Sequence, residues 1–66
     1  MKQHILEITV YGNVTHLEYI PSTDSAIDVF YAHLQQSEPG EVISLYEDHG
    51  TVPSMRTLVE RKRSGE

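Results

Sequence analysis

The chain has no cysteine and no tryptophan, only three prolines, and five Lys and Arg against ten Asp and Glu. Each shortage excludes something. Without cysteine there is no disulfide framework and no thiolate-held zinc or iron–sulfur cluster, so the staples of small secreted domains are missing. No apolar run approaches the length that a membrane-crossing helix needs. The opening Met1-Lys2-Gln3-His4 lacks the apolar core of a signal peptide, so the expected location is cytoplasmic. The Asn13-Val14-Thr15 glycosylation pattern is then expected to carry no sugar. With 66 residues the chain is expected to form one small domain, 1–66, with 63–66 as a frayed tail. A chain this short buries little apolar surface, and self-association or a partner is a natural way to bury more.

Cations are scarce and unevenly placed. Residues 1–55 hold Lys2 against eight acids (Glu7, Glu18, Asp24, Asp28, Glu38, Glu41, Glu47 and Asp48), a balance of −7. Residues 56–66 hold Arg56, Arg61, Lys62 and Arg63 against Glu60 and Glu66, a balance of +2. The basic segment could touch phosphates, but the acidic body repels nucleic acid at long range. Nucleic-acid binding through Arg56, Arg61, Lys62 and Arg63 is therefore the alternative reading rather than the leading one.

What is present is β-branched and aromatic sequence with clear periodicity. Residues 4–11 alternate, with Leu6, Ile8 and Val10 on one side and Ile5, Glu7, Thr9 and Tyr11 on the other. Gly12-Asn13 suits a two-residue hairpin turn, and residues 14–20 read as the returning strand. That turn pairs Val10 with Thr15, Ile8 with Leu17, Glu7 with Glu18, Leu6 with Tyr19 and Ile5 with Ile20. It collects Leu6, Ile8, Val10, Leu17 and Tyr19 on a single apolar face. Pro21 ends the strand, and Ser22-Thr23-Asp24-Ser25 supplies N-cap residues. Residues 24–36 run at helical period, with Ile27, Phe30, Tyr31 and Leu34 as the apolar stripe and Ala26 beside them. Ser37-Glu38-Pro39-Gly40 stops the helix.

Residues 41–47 read as a third strand, Ile43 and Leu45 inward and Val42 and Tyr46 outward. Residues 56–63 fit either a short helix or a fourth strand; the strand is preferred because it completes a second hairpin around the 48–55 loop. The predicted fold is α+β, ββαββ, an antiparallel sheet with one helix packed on one face.

The first hairpin, the Ile20-Pro21-Ser22-Thr23-Asp24 lead-in to the helix, and Pro39-Gly40 before Val42–Glu47 together resemble short proteins encoded by phages and prophages. Small phage inhibitors of bacterial RNA polymerase are among them. The likeness is one of layout over about two thirds of the chain, and no functional residue is carried over by it. It implies a small non-enzymatic module that binds and modulates a host protein in the host cytoplasm.

The residues themselves single out the face away from the helix. The expected register sets Glu7 against Glu18, with His16 close by, a like-charge juxtaposition that a cation or a partner would relieve. One imidazole and two carboxylates could also hold Zn²⁺ or Mn²⁺. A charge-compensated polar stripe is preferred to a metal site, and no cofactor is expected. Ile5, Tyr11, Val14, Ile20 and Tyr46 are expected to surround that stripe as an uncovered apolar patch. The expected partner-binding set is thus Ile5, Glu7, Tyr11, Val14, His16, Glu18, Ile20 and Tyr46, used in a homodimer or against another protein. No nucleophile, phosphate loop or base–nucleophile pair stands out, so no enzyme is expected.

Overall fold

The computed structural model describes residues 3–21, 24–49 and 55–65. Their order is β1 (Gln3–Val10), β2 (Asn13–Ile20), α1 (Ala26–Gln36), β3 (Val42–Asp48) and β4 (Arg56–Arg63). The four strands form one antiparallel sheet in the order β2-β1-β3-β4, so β1 and β3 are central and β2 and β4 are edges. The fold is α+β and ββαββ, with the helix on one face of the sheet. Residues 56–63 form the fourth strand rather than a helix.

The first hairpin turns one residue earlier than expected. Its loop is Tyr11-Gly12, with φ of 53° and 81°, and Val10 pairs with Asn13. A tyrosine rarely adopts this left-handed conformation, which costs a residue with a Cβ about 1–2 kcal/mol. Asn13 is freed to begin β2. One residue further on, Thr15 has no opposite number: Thr9 pairs with Val14 and Ile8 with His16. This bulge shifts the ladder by one residue, and a one-residue shift exchanges the two faces of a strand. Thr15 supports it directly, its hydroxyl donating to the Ile8 carbonyl at 3.2 Å.

The bulge overturns the expected pairing of β2. Leu6 faces Glu18, Glu7 faces Leu17 and Ile5 faces Tyr19. Leu17 and Tyr19 therefore lie on the helix-free face, half exposed, while Ile20 enters the core. The core under the helix comprises Leu6, Ile8, Ile20, Phe30, Ile43 and Leu45. Ala26, Val29 and Leu34 pack against it from the helix.

The helix rolls accordingly. Ala26, Val29, Phe30, His33 and Leu34 sit at i, i+3, i+4, i+7 and i+8, one continuous stripe. Ile27 and Tyr31, expected inside, are exposed at its flank. Tyr31 still meets Phe30 edge-on at 5.3 Å between ring centroids and lies under Lys62 of β4. The helix begins at Ala26, after Ser25, two residues later than the sequence predicts; Ser22 and Thr23 lie outside the described residues. At its other end the Ser37 hydroxyl donates to the Leu34 carbonyl at 2.6 Å.

A hydrogen-bonded turn follows β4. Ser64 donates its N–H to the Glu41 carbonyl at 2.8 Å and accepts from Gly40 N–H at 3.2 Å. These bonds tie Ser64 to the turn before β3, whereas Glu66 lies outside the described residues. No helix among the described residues is long and apolar enough to cross a membrane.

Candidate functional site

The sheet's helix-free face is built from Ile5, Glu7 and Thr9 of β1, Val14, Leu17 and Tyr19 of β2, Val42, Ser44 and Tyr46 of β3, and Arg56, Leu58, Arg61 and Arg63 of β4. Its centre is closed without a helix. Ile5 is 0% exposed and Ser44 3% exposed, although both point away from the helix. Ile5 sits between Tyr19 and Tyr46 on the neighbouring strands. Arg61 donates from Nε to the Ser44 hydroxyl at 3.0 Å and from its guanidinium to the Tyr46 hydroxyl at 2.8 Å. Arg56 reaches Glu7 at 3.2 Å. Long side chains that carry charge at the tip and methylenes along the stem can cover apolar surface in this way.

These contacts dispose of the expected Glu7–Glu18 opposition. Glu7 is paired with a cation from β4, and Glu18 lies on the other face. That cation is Arg56. The basic segment is likewise divided. Arg56 and Arg61 are spent on Glu7, Ser44 and Tyr46, while Lys62 turns to the helix side over Tyr31. Arg56, Arg61 and Arg63 share the helix-free face, and Lys62 lies on the other.

The eight residues of the expected partner-binding set fall into three places. Ile5 and Ile20 are buried, Ile5 under the tyrosines and Ile20 in the core, so neither belongs to an uncovered patch. Tyr11, Val14, Glu7 and Tyr46 stay on the turn and the helix-free face, Tyr11 being 95% exposed. His16 and Glu18 move to the helix side. There they meet His33 of α1.

That meeting forms a second cluster. The Nε2 atoms of His16 and His33 each lie 3.2 Å from the same Glu18 carboxylate oxygen. The two imidazole centroids are 5.4 Å apart. One potential ligand atom from each residue fits within a 4.8 Å span, and this is the one such group among the described residues. The Glu18 carboxylate oxygen can accept an N–H from either ring. His16 and Glu18 are legible as a same-face pair because i and i+2 share a strand face. His33 joins them only through the roll of the helix.

The two edges of the sheet differ in chemistry. β4 carries Arg56, Arg61, Lys62 and Arg63, the kind of charged edge that resists pairing with another strand. β2 contains no lysine, arginine or proline and exposes Val14, Leu17 and Tyr19 on the helix-free face. The chain matches no family model, no curated protein and no solved structure.

Proposed function

We propose that this chain is a small protein-interaction module that pairs through the β2 edge, with a second copy of itself supplying the opposing strand. The observation that carries this reading is the contrast between the edges: β4 is blunted by four cations, whereas β2 has none. An edge strand without Lys, Arg or Pro presents backbone donors and acceptors to a further strand. Two-fold pairing suits β2 with itself. Centred near Leu17, it sets apolar residues together on the helix-free face and His16 of one copy opposite Glu18 of the other. Small size adds a reason, since a second copy enlarges the buried apolar surface. The layout shared with short phage-encoded proteins points the same way, to a chain that acts by binding rather than by turning over a substrate.

The test is sedimentation velocity of the full chain across a concentration series. The wild type is expected to self-associate, Leu17→Lys to remain monomeric, and Leu58→Lys on β4 to behave as wild type. A wild type that is monomeric throughout, or a Leu58→Lys variant as impaired as Leu17→Lys, overturns the proposal. Ile20→Asp is not a usable probe of the contact, because Ile20 is 1% exposed and its replacement attacks the core.

A further inference from the structure

The sites that β2 turns toward the helix hold something packing does not explain. His16 lies opposite Ile8 and Glu18 opposite Leu6, both core residues. On a strand with one buried face, these are positions where alternation calls for apolar side chains. The Thr15 bulge instead directs an imidazole and a carboxylate there, and α1 directs His33 onto the same point. Local departures from the rules of a good core are most often found where a protein has another use for the residues.

We infer that His16, Glu18 and His33 form a Zn²⁺ site between β2 and the last turn of α1. Two imidazoles and one carboxylate are a ligand set that zinc accepts, with metal–ligand distances of about 2.0–2.2 Å. Tetrahedral geometry at those lengths spaces ligand atoms about 3.3 Å apart. The Glu18 oxygen is already 3.2 Å from each Nε2, so two edges of the tetrahedron have the required length. Each ring then keeps its proton on Nδ1 and offers the Nε2 lone pair to the metal. His33 lies in the last helical turn, where the partial negative charge of the helix end favours a cation.

The three side chains are 28–44% exposed, which leaves an entry path and a fourth position for water or an incoming ligand atom. All three ligands come from one copy, so the site does not depend on pairing through β2. A site with an open position on the surface also supplies a point where a side chain from another protein can be captured.

The probe is ZnCl₂ alone, added to full-length protein purified without a histidine tag and followed by calorimetry. One Zn²⁺ per chain is expected, with about micromolar affinity, together with a rise in melting temperature from binding to the folded state. His16→Ala, His33→Ala and Glu18→Gln are each expected to weaken binding by at least the about 10–100-fold that outer-shell groups alone carry. His49→Ala, at the β3–β4 turn, is expected to change nothing. Nitrogen-detected NMR separates ligation from a loss of folding: Zn²⁺ is expected to shift Nε2 of His16 and His33 in the wild type and to leave His49 in place. No binding at about tenfold excess of ZnCl₂ over chain, binding that survives His33→Ala undiminished, or ring shifts at His49 instead, would overturn the site. One metal per two chains would also overturn it as drawn.

Discussion

The two faces of the sheet bury their centres equally and by opposite means. Under the helix, Leu6, Ile43 and Leu45 are covered by Phe30 and its apolar neighbours. On the other side Ile5 and Ser44 are just as inaccessible, flanked by Tyr19 and by a Tyr46 that Arg61 holds in place, with the Arg56–Glu7 pair beside them. One face is closed by dispersion and exclusion of water, the other by long polar side chains whose stems shelter what lies below. A single helix can thus suffice for a four-stranded sheet. The second face needs no element of secondary structure, only cations at the far edge and acceptors near the middle.

Substitutions can break or sharpen this comparison, and urea titration read by circular dichroism ranks them. Phe30→Ala removes the centre of the helix cover and is expected to cost about 3–5 kcal/mol. Ile5→Ala is expected to cost about 2–5 kcal/mol, as for a conventional core isoleucine. If its cost falls well below Leu6→Ala, the polar cover admits water and the two faces are not equivalent. Arg61→Ala strands the Ser44 hydroxyl and frees Tyr46, for an expected loss of about 1–2 kcal/mol. Arg61→Lys is expected to recover little of that loss, because an ammonium cannot reproduce the fork that serves both hydroxyls. Arg56→Ala is the smallest, at most about 1 kcal/mol, and its effect is expected to fade with added salt. A large Arg56→Ala effect that persists in salt would mean that packing, not charge, is its contribution.

Element order and type were legible because periodicity is local. Alternation in residues 4–11, the helical spacing from Ala26 to Leu34, and Val42 to Tyr46 each give the right structure without reference to the rest of the chain. The fourth strand followed from hairpin economy around the 48–55 loop. Which face each residue occupies was legible only where nothing interrupts the alternation. Ile43, Leu45, Val42 and Tyr46 point as expected, but His16 to Ile20 are inverted by the extra residue at Thr15. A bulge has no compositional mark comparable to Gly or Pro, and its stability here comes from tertiary placement of Ile20 and a hydroxyl bond to Ile8. The helix stripe was ambiguous for the same reason. Ile27 with Tyr31 and Val29 with His33 are equally periodic, and the sheet decides between them. The His16–Glu18 half of the cluster could be read from i, i+2 spacing, whereas His33 lay beyond sequence reasoning.

The Thr15 bulge has a consequence for how this protein can change over generations. Insertions and deletions are usually tolerated in turns and selected against in strands according to how much length they alter. Here the loss of one codon at position 15 would remove the unpaired residue and leave every existing pair in place, Val14 with Thr9, His16 with Ile8 and Leu17 with Glu7. The side chains from His16 to Ile20 would keep their faces, and His16 and Glu18 would stay beside His33. The bulge thus marks a point inside a strand where a residue can be lost without a change of register.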